Sequence, residues 1–260
     1  MLGNLVADAD LFFIIAVRVL ALLETAPLLS GDGTPQVAKL GLAGFAAAAV
    51  FPWVKDAGYP VPADAVGYLG LIVGEAMIGV ILGFFLTMVY AAFTTAGQFF
   101  SLQMGFGASE TYDPLAQIEI PLVGQFLNLM AMFVFLTVGG FQKLFLVGVK
   151  GSFGAMRAAD LLTRRDDWFA YVAGSLGSLF SNALVIAFPV FGTLLLVSVT
   201  MGLLSKAAPQ MNLLTEGFPL AILVAFFLIA TAMPYMIEAF SKIVDAGFGS
   251  ITAVMAGGSS

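Results

Sequence analysis

The chain has no cysteine and no histidine, and only 10% of its 260 residues are charged. Without cysteine there are no disulfides and no thiolate metal sites. Without histidine the chain lacks the commonest general base, proton shuttle and metal ligand together. Serine hydrolysis loses its usual base, and neither a metal nor any other cofactor is expected. An ordinary globular domain is about a quarter charged, so this shortage leaves too little polar surface for a particle bathed in water. Ten Lys and Arg against 16 Asp and Glu give a formal charge of −6, which argues against nucleic acid as a partner. Enzyme motifs are incomplete. Tyr112-Asp113 is half of the YD and GxGD pair of an intramembrane aspartyl protease, and no GxGD occurs. Gly105-Phe106-Gly107 begins like a dinucleotide fingerprint but lacks the third glycine and a preceding strand.

What the chain has is hydrophobic length. Apolar residues make up 60% of it, and the blocks 76–109, 120–142, 168–205 and 217–237 contain no Asp, Glu, Lys or Arg. Each reaches the roughly 20 residues that cross a bilayer core. Lipid offers no partner to backbone N–H and C=O groups, so such blocks are helices or strands of a closed barrel. Continuous runs without alternation select helices. The fold class is therefore an all-α membrane protein with about six hydrophobic segments: 11–29, 37–54, 65–92, 121–142, 171–204 and 217–241. Residues 1–10 hold two Asp and no Lys or Arg, unlike the start of a cleavable signal peptide, so the first segment is expected to be retained.

Two blocks are too long for simple spans. Block 76–109 would run about 50 Å as one helix, so it is expected to stop or turn between Gly97 and Pro114 and to form a re-entrant loop over about 97–121. In 168–205, Pro189 is expected to kink or split the helix. The last two segments, joined by the polar stretch 206–216, form a C-terminal hairpin. Connector 143–167 carries Lys143, Lys150, Arg157, Arg164 and Arg165. In a six-span arrangement the positive-inside rule then places both termini in the cytoplasm.

Within the apolar blocks, Arg18, Glu24 and Glu75 are costly enough to require partners or a wet cavity. Arg18 and Glu24 lie about 240° apart on a helix, so their partners are elsewhere, either as structural pairs or along a substrate or proton path. Gly70/Gly74 and Gly79/Gly83 are GxxxG pairs on two different faces of one helix, next to Gly67, which suits close helix packing within the chain or against other subunits. Phe99, Phe100, Met104 and Phe106 flank the expected break, and a soft apolar ring of this kind can close a pore without charge.

At the level of motifs, the segment Arg18-Val-Leu-Ala-Leu-Leu-Glu24-Thr-Ala-Pro27-Leu-Leu, then Pro35 and Lys39-Leu-Gly-Leu, resembles the opening of the FliR family of type III secretion export-gate proteins. Ala96-Gly-Gln98, Leu102-Gln-Met-Gly105, Asp113-Pro114, Gly202-Leu-Leu-Ser-Lys206-Ala-Ala-Pro209-Gln210-Met-Asn212 and Gly217-Phe-Pro219-Leu continue the likeness in order over roughly 11–225. The resemblance implies a non-enzymatic inner-membrane component of the flagellar export gate. It implies assembly with FliP and FliQ, and with FlhB and FlhA, around a channel for unfolded flagellar subunits, within the basal body and raised toward the periplasm. It further implies a FliP-like region over 1–170, a FliQ-like hairpin and tail over 171–260, and a plug on the stretch from Gly105 to Pro121. Met104, Gly105, Phe106, Gly107, Glu110, Tyr112, Asp113 and Pro114 are then plug or gate residues, and Lys206, Pro209 and Gln210 join the glycines as assembly residues. A virulence-type homologue shares this fold. A secondary transporter with broken helices and a site at Glu75 is the alternative, and internal inverted repeats would favour it.

Overall fold

A computed structural model describes residues 2–27, 29–31, 33–105, 122–208 and 217–257. Among them every regular element is helical: α1 (Leu2–Thr25), α2 (Gln36–Asp56), α3 (Ala65–Gln103), α4 (Leu122–Thr137), α5 (Gly140–Lys143), a π-helix π1 (Leu144–Gly151), α6 (Ser152–Ala155), α7 (Ala158–Thr163), α8 (Arg165–Ala207) and α9 (Phe218–Met255). The all-helical class and the C-terminal pair, α8 and α9, agree with the sequence reading. Helices α2, α3, α8 from Trp168 and α9 are each long and apolar enough to cross a membrane. The pair 123–137 and 140–155, bent by 64° at its break, is a fifth crossing if it acts as one broken span.

The structure sharpens the segment boundaries. The stop expected between Gly97 and Pro114 falls inside that range, where α3, 39 residues in all, ends at Gln103. Gly97 stays helical, since a Cβ there would meet the Cα of Gly124 at 2.8 Å, so the missing side chain serves a close helix contact. Helix α8 likewise runs unsplit through Pro189 for 43 residues. The connector 143–167 is largely helical, and the break falls instead at Val138–Gly139, where Gly139 has φ +69, a conformation that suits glycine.

The chain forms two compact units that interleave. Unit 1 comprises Met1–Val89, Gly139–Leu176 and Val244–Ser260; unit 2 comprises Tyr90–Val138 and Gly177–Ile243. Helices α3, α8 and α9 each contribute residues to both units.

In unit 1, α1 buries Leu11, Ile14, Ile15, Arg18, Val19, Leu22 and Leu23, a stripe at the three-and-four spacing of one helix face. Helix α2 buries Lys39, Ala43, Ala46, Ala47, Val50 and Val54 and packs on α1. Asp64 caps α3 by accepting the N–H of Gly67 at 2.7 Å. Helix α3 lays Gly79 and Gly83 directly on α1: a Cβ at the first would collide with the carbonyl of Arg18, and at the second with Thr25 and the carbonyl of Leu22. Thr87 then donates to the free carbonyl of Thr25 at 2.6 Å, closing the end of α1. At the far end of the chain, Arg164 donates to the carbonyl of Val254 at 2.8 Å, a cation on the C-terminal carbonyls of α9.

In unit 2, the lower part of α3 packs through Phe93 on Phe240, with ring centroids 4.7 Å apart, and through Phe99 on Phe191 at 6.1 Å. Tyr90 donates to the carbonyl of Asn128 at 2.9 Å, and Gln103 to the hydroxyl of Ser198 at 3.0 Å. Replacing Gly83 with Val is expected to lower stability by about 1–3 kcal/mol through overpacking, read as a lower unfolding midpoint in detergent. Gly70→Val, where a Cβ meets nothing within 4 Å, is expected to shift it by less than about 0.5 kcal/mol.

Candidate functional site

Two of the three embedded charges meet in unit 1. Arg18, 1% exposed, lies against Glu75, which is fully buried. Its Nε donates to Glu75 Oε2 at 2.5 Å, Nη1 to the Ser152 hydroxyl at 3.1 Å and Nη2 to the Met156 carbonyl at 3.1 Å. The guanidinium carbon stands 3.8 Å from the ring centre of Phe153. Tyr59, in the connector between α2 and α3, donates its phenol to the other carboxylate oxygen of Glu75. Burial pushes the Tyr59 phenol above its usual range, and Glu75 adds to the shift against the opposing pull of Arg18. Tyr59 therefore remains a protonated donor throughout the physiological range. All three kinds of guanidinium nitrogen and both carboxylate oxygens have partners. That is the condition under which a buried ion pair is tolerated.

The third charge pairs separately. Glu24 accepts from Lys39 at 2.9 Å, and the lysine is only 4% exposed. Arg18 and Glu24 thus have separate partners, as their angular separation requires. Lys39, Tyr59, Ser152 and Met156 escape the sequence reading. Lys39 carries a signal as a lysine inside an apolar segment, whereas the others lie 41 to 138 residues from Arg18 and have no periodic mark.

The glycines divide by environment. Gly79 and Gly83 face α1, Gly74 meets Ala158 of α7, and Gly70 faces open space. Gly70 lies among Val66, Leu69, Val73, Met77, Val80 and Phe84, all exposed and spaced by three or four residues. Among the described residues this row is an uncovered face of α3. Lys206 lies in the last turn of α8 and is exposed.

Helix α3 ends inside unit 2. Phe100 and Met104 are fully buried there, so neither offers a free surface, and Phe99 is half-buried against Phe191. Gly105 closes the helix with φ +84, its N–H donating to the Leu102 carbonyl at 3.2 Å. The ring of Phe218 occupies the place of a Cβ, so only glycine fits. Chain 106–121 leaves from this fixed point. Phe106, Gly107, Glu110, Tyr112, Asp113, Pro114, Pro209 and Gln210 lie outside the described residues. Among the described residues, no three Asp or Glu side chains come together to hold a metal.

The family model for bacterial export proteins, family 1, matches residues 9–247, both ends of which lie in the helical framework just described. The chain belongs to that family. The flagellar biosynthetic protein FliR of Escherichia coli K12 is 34% identical over 225 residues, covering 86% of this chain and 85% of that protein. FliR of Bacillus subtilis 168 is 32% identical over 224 residues, 85% of each. The surface presentation of antigens protein SpaR of Shigella flexneri is 30% identical over 159 residues, 61% of this chain and 60% of that one. The likeness to the FliR family seen in short motifs thus extends over most of the chain, and Arg18, Glu24, Glu75 and Gly105 all fall within the family match.

Removing one partner from a buried pair leaves an uncompensated charge, so Arg18→Met is expected to cost about 3–5 kcal/mol. The double variant Arg18→Met with Glu75→Met should regain much of that stability in thermal unfolding. A double variant no more stable than the single one would sink the assignment of the pair.

Proposed function

We propose that this export-family protein co-assembles with FliP- and FliQ-type membrane subunits in the flagellar type III export gate, and that the segment leaving α3 at Gly105 restricts the channel at rest. Membership of the export family over residues 9–247 carries the reading. It makes the chain a membrane component of flagellar type III export, as the names of its FliR relatives indicate. Assembly with sister subunits is the further step. It is supported by the apolar row from Val66 to Phe84, which lies exposed among the described residues. Small residues such as Gly70 in such a row let a neighbouring backbone approach closely.

The gate follows from the end of α3. The buried turn at Met104–Gly105 is held by Phe100, Leu102 and Phe218, so it is a rigid base for the next segment. A plug on a rigid base closes by position rather than by binding energy. Opening then requires energy from outside this chain, and no catalytic group within it is needed. In the transporter alternative Glu75 is the substrate site, but both of its oxygens are occupied by Arg18 and Tyr59.

Three measurements test this. Deleting 106–114 is expected to raise ion conductance of the assembled complex across a planar bilayer, and unchanged conductance would remove the plug. Gly70→Leu is expected to abolish co-purification of FliP-type subunits while the chain itself stays folded. A native mass equal to this chain alone in the parent protein would overturn the assembly.

A further inference from the structure

The side of α2 turned away from α1 is also uncovered. Val37, Leu42, Phe45 and Trp53 are all exposed along it, and no charged residue occurs between Lys39 and Lys55. From Val37 to Trp53 the helix rises about 25 Å, close to the hydrocarbon thickness of about 30 Å. The face ends in an aromatic and basic cluster. Trp53 is 62% exposed, and the Lys150 ammonium from π1 stands 3.5 Å from the centre of its ring.

Lys150 differs in charge balance from its neighbours in unit 1. Lys39 is neutralised by Glu24, Lys55 by Asp8 at 2.7 Å, and Lys143 by Asp245. Lys150 instead lies against an aromatic face, which attracts a cation without cancelling its charge. An ammonium over an indole still has N–H donors directed away from the ring. The position therefore combines an unneutralised cation, an amphipathic ring and, running away from both, an apolar surface as long as an acyl layer is thick. Tryptophan and lysine at the end of an apolar helix are typical of the membrane interface, and basic pockets between helices hold anionic head groups.

We propose that the outward face of α2 contacts lipid and that Lys150 with Trp53 binds the phosphodiester head group of an anionic phospholipid. The acyl chains lie along Phe45 and Leu42, and the phosphate oxygens accept from the Lys150 ammonium beside the indole. This assigns the α2 side of unit 1 to lipid. It does not depend on the assembly proposed above, because a chain that failed to co-purify with partners would still show the lipid preference.

The chain has two tryptophans, so Trp168→Phe leaves Trp53 as the single reporter. The full-length protein in that background is reconstituted into phosphatidylcholine vesicles, and Trp53 fluorescence is titrated with acyl-brominated phosphatidylglycerol or acyl-brominated phosphatidylcholine. Phosphatidylglycerol is expected to quench at about fivefold lower mole fraction, the effect of one basic residue at a charged lipid surface. Lys150→Gln should abolish this preference and Lys150→Arg should keep it, with millimolar inorganic phosphate having no effect. Equal quenching by both lipids, or a preference that survives Lys150→Gln, overturns the head-group site. Displacement by inorganic phosphate would make it a free-anion site, and acrylamide quenching without lipid quenching would overturn the lipid face.

Discussion

The buried Arg18 guanidinium is the constraint on which unit 1 depends. A charge at 1% exposure is tolerated only when its hydrogen-bonding capacity is met inside the protein. Meeting it takes a carboxylate from α3, a hydroxyl and a carbonyl from the stretch after π1, and a ring from α6. Tyr59 then satisfies the remaining oxygen of Glu75. Three separate segments, α3, residues 152–156 and the connector holding Tyr59, are thereby fixed around α1 by direction as well as by contact. Ser152 is the first residue after π1, so its bond to Arg18 also fixes where the wider π turn ends. Sustained π-helix is rare and tends to mark functional regions. Here it leads straight into the polar centre.

Packing around that centre follows the rules of a low-dielectric setting. When both the lipid and the helix surface are apolar, the hydrophobic effect does not draw helices together, and close contact between small residues does. Gly79 and Gly83 bring α3 onto the backbone of α1, Gly74 brings it onto Ala158, and in unit 2 Gly97 brings it onto Gly124. The same helix leaves its Val66 to Phe84 row open. The bare side of α2 is of another kind, since it ends in aromatic and basic groups instead of continuing as a pure packing seam.

Much of this is legible in the amino-acid order. The uncharged blocks, the helical class, the terminal pair of helices and the need of Arg18, Glu24 and Glu75 for distant partners follow from composition and helical spacing. The likeness to the FliR family lies in ordered motifs and extends over residues 9–247. Helix ends are less legible. Length predicts a stop between Gly97 and Pro114 without saying at which glycine: Gly97 stays helical and admits Gly124, and Gly105 is the one that closes α3. Pro189 marks a kink or a split, and the continuous helix α8 excludes the split. The bend at Val138–Gly139 does carry a mark, the Gly139-Gly140 pair, a dipeptide that favours turns, but it sits inside an apolar run whose length alone reads as one continuous segment.

Composition and residue order are enough to establish that water is excluded from most of this chain, that the excluded parts are helices, and which family they belong to. Those properties belong to the chain as a string. Only folding decides which glycines face inward, that Arg18 is matched by Glu75 and Glu24 by Lys39, and that Lys150 lies on an exposed tryptophan. Each of those facts joins residues far apart in the chain. Helical periodicity states which side of its own helix a residue occupies, and it carries no information about which other helix arrives there.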